Sequence, residues 1–325
     1  GLLADEVMTR RVNGGWQRAA CGGRMRDRRI HIIRSLCWFK VGMWIRAAAD
    51  LRMHNGSPMT DNPFFNLTVI LAVCLALTGC AGAAVSENLR PGIAIETGTL
   101  LSVTGCPLHY ARYRPAQAPR GDLIVLGPGF LRSGVHLADL AQSLAATGVT
   151  TVVLDACPDQ PWNSSHVRRG FEMIQLADTL AAWRVVYAGF SAGALAALVA
   201  GRHDPRALGV VALDLVDAQS LGLRMADGMT RPLLGLAGEP SACNAYNNGL
   251  AVYAASPHAR IERIAGASHC DFESPTDWRC WLICEIDGLN QASPRPDIIR
   301  WATAAVASLM RDATAERGIQ PVRNP

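Results

Sequence analysis

From about Ile95 onward, short apolar runs alternate with longer stretches whose apolar residues recur at helical spacing. Residues 122–126, 149–154, 184–188, 209–213, 232–237 and 260–264 read as strands. Helical spacing marks 135–146, 167–182, 191–200 and 298–310. Residues 96–103 and 108–113 read as an opening hairpin with Gly105 in its turn. Strand and helix in regular alternation predict an α/β domain, with a mainly parallel sheet covered on both faces. No internal repeat or low-complexity tract interrupts the pattern.

The chain upstream is different. Residues 67–77 form an apolar run of the length of a secretory h-region, short for a membrane span. Leu77-Thr78-Gly79-Cys80 follows it, with small residues beside the expected cut. This resembles the lipobox of bacterial lipoproteins, whose Cys is lipidated and becomes the mature N-terminus. The resemblance implies a signal peptide over 59–79, with translation starting at Met53 or Met59. It also implies a lipid-anchored chain of the cell envelope, attached to a membrane through Cys80. Residues 1–58 are then an upstream basic extension outside the mature protein, 80–94 a small and polar tether, and 95–325 the working domain.

Composition changes meaning under that division. The chain has 325 residues, is 50% hydrophobic and carries a formal charge of +4. Its length suggests two domains, and its basic excess suggests an anionic partner such as nucleic acid. Yet residues 1–79 hold 11 basic and 5 acidic side chains, and residues 80–325 hold 20 and 22. The working domain is slightly acidic, so no nucleic-acid partner is expected, and the mature chain has room for one domain. Composition also excludes a collagen, a coiled coil and a polytopic membrane protein.

The chemistry lies in Gly189-Phe190-Ser191-Ala192-Gly193, which follows a predicted strand and opens a predicted helix. A tight strand-to-helix turn lifts a hydroxyl clear of the sheet. It needs small neighbours because Gly189 and Gly193 must pass close to other backbone. The helix N-terminus favours developing negative charge. A nucleophilic Ser191 needs a base. His269 follows the last strand, at the sheet edge where ligands bind in open α/β folds. His109, His136 and His166 precede the serine, His203 falls at the far end of its helix, and His258 precedes the last strand. A third group must orient the imidazole. Asp214, ending the strand after the serine unit, is the first choice; Glu239 and Asp217 are alternatives at the same edge. Two backbone N–H groups are needed for an oxyanion. Ala192 supplies one, and the loop Gly127-Pro128-Gly129-Phe130-Leu131 the other, through Phe130 or else Leu131.

These motifs, in the order Ser, acid, His, resemble the α/β-hydrolase family over about residues 95–315. Within it the chain looks like the chlorophyllase, dienelactone-hydrolase-like and cutinase-like branch. Leu213-Asp214-Leu215-Val216-Asp217 resembles the Asp-Pro-Val segment that carries the acid in chlorophyllases, with Leu215 in place of Pro. Cutinase-like enzymes take the acid after the next strand, where this chain has Glu239 and no Asp. The resemblance implies an α/β-hydrolase fold and a serine hydrolase of carboxylic esters acting through an acyl-enzyme. It requires no metal and no cofactor. The substrate would be a small-molecule or polymer ester. A thioesterase, acyltransferase or peptidase could use the same triad, and a non-catalytic envelope-binding lipoprotein is the reading from another class. Only 18 residues separate the strands on either side of 214–231, too few for a large lid domain.

Of ten Cys, six remain after Cys21, Cys37, Cys74 and Cys80: Cys106, Cys157, Cys243, Cys270, Cys280 and Cys284. An even count in an exported domain is consistent with disulfides. At least one bond among the last four is expected to brace the loop of His269. No CxxC pair suggests a metal site.

Overall fold

A computed structural model describes residues 90–155, 166–284 and 293–318. They belong to the unit Val85–Pro325. The strands are β1 (Ile93–Leu101), β2 (Pro107–Pro115), β3 (Asp122–Gly127), β4 (Thr150–Leu154), β5 (Arg184–Phe190), β6 (Ala207–Leu213), β7 (Leu233–Ala237) and β8 (Ala259–Arg263). The helices are α1 (Ala138–Ala145), α2 (His166–Thr179), α3 (Ala192–His203), α4 (Leu221–Ala226), α5 (Leu250–Ala254), α6 (Trp278–Cys284) and α7 (Arg295–Gly318). Among the described residues, no helix is long and apolar enough to cross a membrane. The apolar run 67–77, Cys80 and most of the segment read as a tether lie outside the described residues. β1 begins at Ile93, two residues inside that segment.

The eight strands form one sheet in the order β1-β2-β4-β3-β5-β6-β7-β8. β1 and β2 pair antiparallel, and β2 meets β4 antiparallel. The six strands from β4 to β8 run parallel. The hairpin turn predicted at Gly105 is present, with Gly105 at φ +82°, where a side chain is disfavoured.

Alternation along the central strands feeds two cores. Leu123, Val125 and Tyr187 pack to one side with α2 and α3; Ile124, Leu126, Val186 and Ala188 pack to the other with α1 and α7. Both faces of the central strands β3 to β6 are therefore dry. α3 is buried at every position from Ala192 to Gly201. A helix so enclosed must be apolar all round, which its Ala, Leu and Gly content provides. β8, at one edge of the sheet, departs from the apolar pattern. It pairs only with β7, its positions after Ala259 are exposed, and it carries Arg260, Glu262 and Arg263. Charges on an edge strand discourage pairing with another chain.

The predicted helix over 135–146 divides into a 3-10 turn (Gly134–Leu137) and α1. Between β6 and β7 the chain holds only α4, so this connection builds no lid domain.

Candidate active site

β5 ends at Phe190 and α3 begins at Ala192, so Ser191 alone makes the turn, at φ 55°, ψ −120°. That conformation is rare for a residue with a Cβ and persists only where its surroundings over-determine it. The surroundings here are two glycines. A Cβ on Gly189 would sit on the Gly193 carbonyl, and one on Gly193 would sit on the Gly127 carbonyl. β3, β5 and α3 thus approach at bare backbone. Ser191 occupies the N-cap of α3, yet its hydroxyl makes no capping bond. The side chain is left unspent, beside the N–H groups of Ala192 and Gly193 at the start of the helix.

The backbone bonds of the sheet continue one step past each strand. Ser191 N–H donates to the Leu213 carbonyl (2.9 Å), Asp214 N–H to Leu236 (2.7 Å) and Glu239 N–H to Ala267 (2.7 Å). These links bring the loops of Ser191, Asp214, Glu239 and His269 to one edge.

The three carboxylates then differ sharply. Asp214 is 1% exposed. Its Oδ2 accepts from His269 Nδ1 at 2.5 Å, and its Oδ1 accepts from the Gly238 N–H at 3.0 Å. Glu239 accepts instead from the Gly266 N–H at 3.0 Å. Asp217 accepts from the Gly222 N–H at 2.7 Å, at the start of α4. Both alternatives are loop carboxylates that tie down backbone. His269 is buried, and its ring lies 4.6 Å from that of Phe190, the neighbour of Ser191.

Three other histidines are engaged away from Ser191. His109 Nδ1 meets Thr99 Oγ1 at 3.0 Å on the hairpin, the His203 ring lies tilted 5.3 Å from that of Phe171 at the end of α3, and His136 borders Arg132. His166, at the start of α2, meets the backbone of Ala192; burial, with the nearby Arg169, lowers its pKa. Sequence spacing did not point to that approach.

Two further residues at the edge went unread in the sequence. Asn244, fully buried, donates its amide to Asp214 Oδ2 (3.2 Å) and to the Glu239 carbonyl (2.8 Å). Its Oδ1 accepts from the N–H groups of Ser241 and Asn247 at 2.8 and 3.2 Å. A side-chain amide with this full set of partners fixes the Asp214 carboxylate in place. Arg132, just past Phe130 and Leu131, reaches Glu273 beyond the His269 turn. Phe130 and Leu131 are exposed, with Leu131 at φ 56°.

His269 lies in a 3-10 turn (His269–Phe272) closed by a capping box between Ser268 and Asp271. Cys270 is bonded to Cys280, and Cys243 to Cys284. At least one bond among these four was expected near the His loop, and two are present. The first anchors the residue beside His269 to α6; the second ties the Asn244 loop to the end of that helix. Cys106 is disulfide-bonded as well. The sulfurs of Cys270, Cys280 and Cys284 lie close enough together to ligate a metal, but all three are spent in disulfides.

No protein-family model and no curated protein matches the chain. Solved structures do. A predicted CIB-like hydrolase from Thermoplasma acidophilum aligns with TM-score 0.51 and 14% identity, over 67% of this chain and 100% of that one. A ferulic acid esterase from Streptomyces cinnamoneus aligns with TM-score 0.51 and 16% identity, over 69% of this chain and 91% of that one. The sheet and its covering helices are those of the α/β-hydrolase fold.

Proposed function

We propose that this protein is a serine hydrolase of carboxylic esters, working through Ser191, His269 and Asp214. The observation that carries the reading is the 2.5 Å bond from His269 to a buried Asp214, at the same sheet edge as the strained turn of Ser191. The fold shared with an esterase supports it.

In this reading Asp214 accepts from Nδ1–H, which leaves Nε2 free to take a proton. Ser191 Oγ attacks the ester carbonyl as His269 Nε2 removes its proton. The N–H groups of Ala192 and Phe130 hold the resulting oxyanion. The intermediate collapses, the ester C–O bond breaks, and the proton on His269 passes to the leaving alcohol. Water then gives a proton to His269 and attacks the acyl-enzyme. Ser191 departs with that proton, and the acid is released. Asp214 stays ionised throughout and stabilises the imidazolium.

We further propose that the chain is exported and held at the cell envelope by lipid on Cys80. The Leu77-Thr78-Gly79-Cys80 motif supports this, and the disulfides suit an oxidising compartment. The test of the hydrolase reading is labelling of the purified protein with a fluorophosphonate probe, wild type beside Ser191→Ala, followed by p-nitrophenyl esters of increasing chain length. Labelling and turnover in the wild type alone are expected. A folded wild type that neither labels nor hydrolyses any ester would overturn the reading.

A further inference from the structure

We infer that Arg132 and Glu273 form a positioning clamp that holds the oxyanion loop against the His269 turn. The inference rests on the serine-hydrolase reading above and adds two residues to it.

Arg132 Nε lies 2.5 Å from Glu273 Oε1, and Nη2 lies 2.6 Å from Oε2. This is a two-pronged fork between planar groups 141 residues apart in sequence. The Glu273 side chain is fully buried and that of Arg132 is 13% exposed. Asp277 flanks the pair, with Oδ1 3.0 Å from Nη2. Burial works against the Arg132 charge, and the bonds to Glu273 and Asp277 outweigh it, so its pKa is raised.

Each arm of the clamp leads to a working group. Arg132 follows Phe130 and Leu131, and its N–H closes the turn onto the Gly129 carbonyl at 3.2 Å. Leu131 sits at φ 56° within that turn, a conformation a leucine does not keep without support. Glu273 ends the His269–Phe272 turn, donating its N–H to the Cys270 carbonyl at 3.2 Å. Beside it, Ser274 N–H donates to the His136 carbonyl (2.7 Å) and Asp139 N–H to the Ser274 carbonyl (2.9 Å). The two loops are therefore laced together along several residues, with the ion pair at the end nearer Phe130. An oxyanion donor stabilises only the transition state, so its placement should govern kcat more than KM.

The experiment compares wild type with Arg132→Lys and Glu273→Gln, using steady-state kinetics on p-nitrophenyl acetate and thermal melts. Lysine keeps the charge but cannot make the fork. Arg132→Lys and Glu273→Gln, assayed well below their melting temperatures, should each lose about tenfold or more in kcat with KM changed by less than about threefold. The inference is overturned if the folded Arg132→Lys or Glu273→Gln protein keeps wild-type kcat, or if the loss appears only in KM. Failure of the underlying reading looks different: the wild type itself would then show no turnover and no label on Ser191.

Discussion

His269 Nδ1 lies 2.5 Å from Asp214 Oδ2, across 55 residues of sequence. Neither residue has a local reason to meet the other. They converge because β6 and β8 flank β7 on the same side of β5, each delivering a loop to the same edge. The carboxylate is fixed by the Gly238 N–H and the Asn244 amide, and the imidazole by the disulfide-anchored turn around it.

That relationship separates the three acids. Asp214→Asn keeps the shape of the side chain but presents the wrong group to Nδ1. It should lower kcat by about 10³–10⁴-fold. Glu239→Gln alters a bond to one backbone N–H and should keep activity within about threefold. Steady-state kinetics on a p-nitrophenyl ester checks both, and the reverse order would remove Asp214 from the proposed triad.

The glycines around Ser191 should rank by what a methyl group would strike. On Gly193 it meets the Gly127 carbonyl head on, and backbone there cannot move aside. On Gly127 the nearest atom is the Gly193 carbonyl oxygen at 3.1 Å, a contact that a small shift relieves. Gly193→Ala should cost about 1–3 kcal/mol or more, and Gly127→Ala clearly less. Urea unfolding of the two variants tests the order.

The two disulfides should differ in what their loss does. Cys243–Cys284 spans 41 residues and Cys270–Cys280 spans 10. In the chain-entropy view the first contributes roughly 4 kcal/mol and the second roughly 3 kcal/mol. Replacing both members of the longer bridge by Ala should therefore lower Tm more. Removing Cys270–Cys280 should instead fall harder on kcat, because Cys270 adjoins His269. Melts and kinetics on the two double variants read the difference.

A buried network behind β5 predicts an acid limit. Asp204 accepts from the Tyr187 hydroxyl, from the Arg206 N–H at 2.9 Å and from the Arg206 guanidinium at 2.9 Å. Burial raises the Asp204 pKa, but the bonds from Arg206 and Tyr187 prevail and set it below the ordinary 3.8. A carboxyl whose native pKa is depressed adds stability above its unfolded value, and that stability is lost as pH falls through the native value. Asp204→Asn should thus be less stable than wild type at pH 7, with the gap closing only below about pH 4. Melting curves against pH would show it; a gap that widened on acidification would contradict the assignment.

The parallel strands were legible because a sheet covered on both faces demands unbroken apolar runs, as in Val185 to Ala188 and Val210 to Leu213. Gly189 and Gly193 announced the turn of Ser191, since backbone contact leaves no other residue. The short helices α4, α5 and α6 carried no signal, being under two full turns and too brief for a period to emerge. Asp214 stands first in sequence by its place at the end of a strand, but Asp217 and Glu239 stay open beside it because all three follow strands at one edge. Their roles depend on which backbone N–H groups stand nearby. Asn244 and the Arg132–Glu273 pair were invisible for the same reason. They are single polar residues in loops, and only the folded arrangement brings them to their partners.

The Cys243–Cys284 bridge also encloses α5, β8, the His269 turn and α6 in a covalent ring, with Cys270–Cys280 nested inside it. One peptide-bond cut anywhere within residues 244–283 cannot release either end. The segment bearing His269 would stay attached to the rest of the chain, and the nicked protein would separate into two pieces only after a thiol reductant was added. A chain closed in this way tolerates a protease's first strike in the very region that carries His269.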